Sequence, residues 1–367
     1  MTLANQLKHA WKGARKEVAA QRGLLKAVRA VRLLLLVIRE LIGTARLAPY
    51  GARAFLCRQQ LVASKRLITL RYGTRARNCV DVVSPPPEKS QTDLRPVAVF
   101  INGGVWSAGD AWQFAPLASR LSDAGALVFV ATYTLYPAAV VPTMVDEVCA
   151  AVQFAKQTAR SLGGDPERIT LLGHSAGAHL ALSAVLKATS PVHCFVGMAG
   201  VYDVAAHYQF ESWRGVQNLS TMEAAMGGAT HFEALSPALQ LTPSMASKLP
   251  PMIMLSSRAD KTVPSSQSAL LAEAASALGV DVTHVIYDSI THVDFATAWE
   301  PTRHRGRRDR PQLAETRHEV MAHVDDAITV VCTTSSAQLR TLIQQHRASK
   351  MPPAVRIPTV PARSLLR

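Results

Sequence analysis

Leu171-Leu172-Gly173-His174-Ser175-Ala176-Gly177-Ala178-His179 is the stretch on which the reading of this chain turns. The β-rich run 168–172 leads into it, and the helix formers Ala178, Leu180, Ala181, Leu182, Ala184, Val185 and Leu186 lead out, so it reads as a strand end, a very tight turn and a helix start. Gly173 and Gly177 carry no Cβ, which lets strand and helix approach closely. Ser175 is thereby forced outward in strained backbone, its Oγ exposed at the helix N-terminus, where the helix dipole favours developing negative charge. A five-position G-x-S-x-G pattern also fits a glycine-rich turn with an ordinary serine. The rest of the chain separates the two readings.

On either side of this turn, short apolar runs alternate with helical periodicity. The pattern predicts strands over 67–72, 79–83, 97–101, 127–132, 169–172, 195–198, 252–255 and 282–287, with helices over 112–123, 144–162, 178–188 and 265–278. Such alternation implies an α/β fold, a mostly parallel eight-stranded sheet flanked by helices. The first two strands, joined by 73–78, read as an antiparallel edge pair, and the proline-rich 84–90 reads as a surface loop. Gly163-Gly164-Asp165-Pro166 is expected to close the helix before the nucleophile strand. Residues 124–145 carry no charge, but the first half reads as a buried strand and Pro137 and Pro142 break the remainder, which excludes a membrane span. Residues 202–249 interrupt the alternation. They are the expected helical lid, with Tyr202, Tyr208, Phe210, Trp213 and Phe232 available for an apolar pocket or for the lid's own core.

A serine nucleophile needs a base, an acid that orients the base, and donors for an oxyanion. Candidates for each follow strand ends. Asp260 comes after the strand at 252–255 and His292 after the strand at 282–287, while Asn102-Gly103-Gly104-Val105-Trp106 follows the strand at 97–101. Ser175, Asp260 and His292 are the candidate catalytic residues, in the chain order of α/β-hydrolases. The backbone N–H groups of Gly103, Gly104 and Ala176 are the candidate oxyanion donors. Asp203 is an alternative position for the acid; Asp294 also competes with Asp260 for that role, but, two residues from His292, it reads as a loop group. His174, His179 and His284 read as structural histidines. No H-E-x-x-H or paired-cysteine motif points to a metal, and the chemistry requires no cofactor.

With 367 residues and 48% hydrophobic content, the chain can hold one large α/β domain with extensions. The expected division is a basic N-terminal extension over 1–60, a catalytic domain over 61–332 and a basic tail over 333–367, with a last amphipathic helix over 311–331. The formal charge of +14 is carried by the ends: residues 1–50 hold ten Lys/Arg against Glu17 and Glu40, and residues 301–367 hold twelve against five acids. The middle is close to neutral, which argues against a nucleic-acid groove. Five cysteines without metal-type spacing suit a reducing, intracellular compartment. No secretory signal, prenylation or myristoylation signal is evident. Over 21–46, Arg22, Lys26, Arg29, Arg32 and Arg39 gather on one side of a helix and Leu24, Val28, Val31, Leu35, Ile38 and Ile42 on the other. The longest uncharged run there, 33–38, is far short of the about 20 apolar residues that a span needs. A basic amphipathic helix lying on a membrane surface is the leading reading. A helix packed on the catalytic domain, or a mitochondrial presequence, shares the pattern.

The motifs Gly103-Gly104-Val105-Trp106, 163–169, 173–179, 260–264 and Thr291-His292-Val293-Asp294 together resemble the α/β-hydrolase carboxylesterases of the lipase-like branch. Asn102 stands where many of these esterases carry histidine, and Val105 where a third glycine often follows. Within the branch, the N-G-G-V-W loop, Gly200-Val201-Tyr202-Asp203 with His207 and Arg214-Gly215, 259–264, and 291–294 with Arg305-Gly306 resemble isoprenylcysteine α-carbonyl methylesterases, over roughly 66–330. The resemblance implies hydrolysis of a small-molecule or lipidated ester, prenylcysteine methyl esters among them, by an enzyme associated with the endoplasmic reticulum or Golgi membrane. This chain lacks the clean N-terminal span of such enzymes. Kynurenine formamidases share the G-G-x-W and G-H-S-A-G elements and imply an amide hydrolase instead. A non-catalytic hydrolase fold that binds an ester-like ligand is a third reading.

Overall fold

The computed structural model describes residues 47–87, 94–187 and 192–297, together with scattered positions between 11 and 38. Its strands are β1 (Leu67–Arg71), β2 (Cys79–Val83), β3 (Arg95–Ile101), β4 (Leu127–Ala131), β5 (Gly164–His174), β6 (Cys194–Met198), β7 (Met252–Ser257) and β8 (Val282–Tyr287). They form one sheet in the order β1-β2-β4-β3-β5-β6-β7-β8. β2 runs antiparallel to both β1 and β4, and every other neighbouring pair is parallel. The residues between β1 and β2 are too few for a parallel crossover, which forces the antiparallel edge that the sequence implied. The sheet and its flanking helices are the α/β-hydrolase fold.

The helices are α1 (Ala48–Ala63), α2 (Ala115–Asp123), α3 (Val141–Ala159), α4 (Ala176–Lys187), α5 (Val204–Arg214), α6 (Met222–Met226), α7 (Ser266–Ala277) and α8 (Asp294–Thr297). Strand side chains alternate between two apolar layers, as a period of two requires. Val97, Val99 and Ile101 of β3, with Leu127 and Phe129 of β4, pack against Met144 and Val148 of α3, Leu180 of α4 and Leu271 of α7. Ala98 and Phe100, with Val128 and Val130, face Leu61 of α1, Leu117 and Leu121 of α2 and Phe295 of α8. Both faces are covered. The central strands are therefore continuous apolar runs, with β4 and β6 buried at every position.

Three boundaries differ from the expectation. α3 begins at Val141, because Pro142 sits in its first turn, where a missing N–H costs no helical bond. Gly163 ends the preceding turn at φ 81°, but Gly164 is already strand and pairs with Arg95. α1 straddles the expected domain start at residue 61. Its Ala54 and Leu61 are buried, the Tyr50 hydroxyl donates to the Gln113 carbonyl at 2.5 Å, and Arg58 Nε donates to Asp81 Oδ2 at 2.9 Å, so the catalytic unit begins before residue 50. Between β6 and β7 the chain forms α5, α6 and three short 3₁₀ turns. The helix expected over 311–331 and the tail over 333–367 lie outside the described residues.

Candidate active site

β5 ends at His174 and α4 starts at Ala176, leaving Ser175 alone in the turn at φ 54°. A Cβ on Gly173 would lie 2.5 Å from the Ala178 Cα, and one on Gly177 would lie 2.2 Å from the Ile101 carbonyl oxygen. The two glycines are thus required by backbone contact. A left-handed serine held there stores strain of about 1–3 kcal/mol, offset by the fold around it.

The parallel order of β5, β6, β7 and β8 brings the loops after β7 and β8 over this turn. Ser175 Oγ–H donates to His292 Nε2 at 2.9 Å, and His292 Nδ1–H donates to Asp260 Oδ2 at 2.7 Å. The other carboxylate oxygen of Asp260 accepts from the N–H groups of Thr262 at 2.7 Å and Val263 at 3.0 Å. Burial pushes Asp260 up, but the hydrogen bond and charge of His292, with the Val263 and Thr262 amides, outweigh it and hold the carboxyl below its usual range. Ser175 is 7% exposed, more buried than the turn's sequence implies, because the His292 loop and the glycine loop close over it; a fixed carboxylate, an oriented imidazole and this hydroxyl can perform nucleophilic acyl transfer.

Gly103 lies against the nucleophile: a Cβ there would be 2.7 Å from the His174 carbonyl oxygen and 2.9 Å from the Ser175 Cβ. Gly104 (φ 130°), Val105 (φ 52°) and Trp106 (φ 56°) all have left-handed backbone. The turn is closed by Ser107 and Ala108 N–H groups donating to the Gly104 carbonyl. Ala176 opens α4, so its N–H has no intrahelical acceptor. Asn102 is wedged beneath the loop, its Nδ2 donating to the Gly103 carbonyl and its own carbonyl accepting from the buried Tyr133 hydroxyl.

The histidines on either side of Ser175 tie this site together. His174 Nε2–H donates to the backbone carbonyl of His292 at 2.9 Å, and the two rings pack with centroids 4.8 Å apart. His179 accepts from the Trp106 indole N–H at 3.2 Å and donates through Nε2–H to the Leu235 carbonyl at 2.8 Å. One fixes the loop of the base; the other joins the glycine loop to the insertion. Burial, then the charge of His292, brings His174 down to about 3, and burial brings His179 down to about 4. Both are neutral at physiological pH. His284 Nε2 pairs with Ser256 Oγ at 2.9 Å, away from the triad.

The competing acids are placed elsewhere. Asp203 caps α5 by accepting from the Ala206 N–H, and Asp294 accepts from the Thr291 N–H and hydroxyl. Of the insertion's aromatics, Tyr202 and Phe232 are buried in the core, whereas Trp213 is 70% exposed. Sequence reasoning missed Glu211, which with His207 stands one turn apart on α5. Both are buried, Nε2 of His207 is 3.7 Å from Oε1 of Glu211, and neither His207 Nδ1 nor Glu211 Oε2 has a hydrogen-bond partner among the described residues. The i, i+4 spacing of an acid and a histidine was the available signal.

A family model described as BD-FAE matches residues 80–275, which include the glycine loop, Ser175 and Asp260. The chain belongs to the BD-FAE family. This BD-FAE chain is 30% identical over 241 residues to the isoprenylcysteine alpha-carbonyl methylesterase of Arabidopsis thaliana, covering 61% of this chain and 55% of that protein. It is 28% identical over 212 residues to esterase LipQ of Mycobacterium tuberculosis, covering 54% and 49%. The chain therefore spans about half the length of these relatives. The propionate-bound esterase Est2 of Thermogutta terrifontis superposes with a TM-score of 0.53 at 23% identity, over 72% of this chain and 95% of that one, a likeness of fold.

Proposed function

We propose that this BD-FAE protein is a serine carboxylesterase that hydrolyses its substrate through an acyl-enzyme. The observation that carries the proposal is the unbroken chain Ser175 Oγ to His292 Nε2 and His292 Nδ1 to Asp260, at 2.9 and 2.7 Å. His292 takes the Ser175 proton as Oγ attacks the ester carbonyl. Asp260 holds the imidazole in the tautomer that leaves Nε2 as acceptor and stabilises the imidazolium that follows. The N–H groups of Gly103, Gly104 and Ala176 receive the tetrahedral oxyanion. His292 then protonates the leaving alcohol, and water repeats the sequence in reverse to release the acid.

The substrate class we propose is an amino-acyl methyl ester of the prenylcysteine type, supported by the methylesterase relative and by a long basic amphipathic segment ahead of the catalytic unit. Val28, Val31, Leu34, Leu35 and Ile38 in that segment are helical, and each is more than 40% exposed, which favours an apolar face that meets a lipid surface over one packed on the sheet. No helix among the described residues is long and apolar enough to cross a membrane. We propose that the protein works at the surface of an internal membrane, with the endoplasmic reticulum or Golgi as the sites to examine.

Profiling kcat/KM over esters of graded acyl and alcohol size, with a prenylcysteine methyl ester and N-formylkynurenine in the panel, tests this reading. Preference for the prenylcysteine ester supports it; preference for N-formylkynurenine replaces it with the amide-hydrolase reading. Deleting residues 1–46, a cut that spares the Tyr50 contacts, is expected to release the protein from vesicles while small-ester turnover survives.

A further inference from the structure

We infer that the insertion between β6 and β7, with the helical stretch 11–15 seated on it, forms a lipid-docking face that turns the opening over Ser175 towards an anionic bilayer. The inference deepens the lipid-surface reading and rests on it.

Gly13 lies against the turn that follows α5. A Cβ there would be 1.7 Å from the Asn218 carbonyl oxygen and 2.8 Å from its carbonyl carbon, so only a glycine comes this close. That turn is fixed at both ends. The Val216 N–H donates to the Glu211 carbonyl of α5, and the Leu219 and Ser220 N–H groups donate to the Val216 carbonyl. Just beyond, the Thr221 hydroxyl donates to the Val105 carbonyl of the glycine loop at 2.6 Å and stands 2.9 Å from the Ser107 hydroxyl. A short bonded path thus runs from the N-terminal segment to the loop beside Ser175.

Apolar side chains are exposed all along this path. Trp11 stands two residues before Gly13 and Trp213 on the last turn of α5, while Val105 and Val293 are exposed on the two loops that close over Ser175. Lys12 and Arg15 are exposed on the same helical stretch as Trp11. Indoles among cations suit a headgroup layer, which offers apolar and polar surroundings together. Residues 1–50 hold ten Lys/Arg against two acids, so the complementary surface is an anionic one. Docked in this way, an apolar ester passes from the bilayer to the nucleophile without crossing water. A loose tether would instead hold the enzyme near the membrane in any orientation.

The test uses vesicles of phosphatidylcholine with and without phosphatidylserine, para-nitrophenyl palmitate embedded in them, and para-nitrophenyl acetate in solution. Each cation at an anionic surface strengthens partitioning about fivefold, so the intact protein is expected to bind the phosphatidylserine vesicles about tenfold tighter or more. Gly13→Leu keeps every charge and improves helix propensity, yet cannot seat on Asn218. It is expected to bind vesicles and hydrolyse the acetate ester like wild type, while losing severalfold in rate on the embedded ester. Brominated phosphatidylcholine should quench the tryptophan emission of the wild type more than that of Trp213→Phe. Ile68→Gln, which removes an exposed apolar side chain from the far edge of the sheet, should match wild type throughout. A wild-type rate of Gly13→Leu on the embedded ester, or quenching of Trp213→Phe as strong as that of the wild type, overturns the inference and leaves a plain tether. Equal binding to the two vesicles also overturns it. A protein that binds neither vesicle loses the lipid-surface reading as well, and turnover of the acetate ester then keeps the esterase reading apart from both.

Discussion

His179 and His207 are alike in everything but their partners. Each is a buried histidine on a helix at the catalytic end of the sheet, and burial brings each down to about 4. Yet His179 has both ring nitrogens bonded, to Trp106 and Leu235, whereas His207 keeps a bare Nδ1 beside an acid that is itself half-satisfied. Around the nucleophile turn, Asp260, His174, His179 and Tyr133 are fixed by short bonds to backbone or to each other. On α5, His207 Nδ1 and Glu211 Oε2 are buried without a hydrogen-bond partner among the described residues, as is Asn102 Oδ1 in the glycine loop. Buried polar groups that are satisfied hold a scaffold, and those left open are where a ligand gains most.

The bonded side should break hardest at its carboxylate. Asp260→Asn is expected to lower kcat about 10⁴-fold, because an amide can select the wrong imidazole tautomer. Asp203→Asn and Asp294→Asn, which cap local turns, should stay within about tenfold. Steady-state kinetics on a small ester ranks the three, and a larger loss at Asp203 would move the acid to the end of β6.

His179→Phe comes next. It leaves the Trp106 indole and the Leu235 carbonyl unpaired and should destabilise the fold by about 1–3 kcal/mol in urea unfolding. The wild-type protein should also lose stability on acidification. A histidine whose folded pKa lies near 4 against 6.5 binds its proton more readily unfolded, so stability falls as pH drops from 6.5 towards 4, by up to roughly 3 kcal/mol for His179. The variant should show a shallower acid slope; an unchanged slope would assign it to other groups.

Glu211 carries the opposite sign. Burial raises it to about 7, so the folded state holds a proton that the unfolded chain releases near 4.5, and stability falls as pH rises from about 4.5 through 7. Glu211→Gln should be more stable than wild type at pH 8, by about 1 kcal/mol. Lower stability at pH 8 would mean that the carboxylate is satisfied after all. The smallest effect is expected at Val105, a β-branched residue at φ 52°, where Val105→Gly should relieve strain and change the melting temperature by only a few degrees.

Much of this architecture is legible in the sequence because its signals are local. The apolar runs that became β3, β4, β6 and β7 sit between two helical layers, so they needed no register information to be recognised. Gly173 and Gly177 announce the turn because a Cβ at either would strike backbone, and Ser175 stands between them. The order Ser175, Asp260, His292 could be read from positions just past strand ends. What could not be read was the pairing of distant groups. His174 reaches the His292 carbonyl across 118 positions, and His179 takes the Trp106 indole across 73. Neither bond has any local pattern. Pro142 misled the start of α3 because a proline that breaks a helix interior is tolerated in its first turn. Glu211 was overlooked because an acid on a helix usually faces water, and only the packing of α5 shows that this one does not.

The central claim is that Ser175 is an activated nucleophile, and active-site labelling tests it most directly. The intact protein, treated with a fluorophosphonate and digested, is expected to carry one stoichiometric adduct, on the peptide containing Ser175, and Ser175→Ala should carry none while remaining folded. A folded wild-type protein that takes up no label, or that carries it on another residue, would contradict the account.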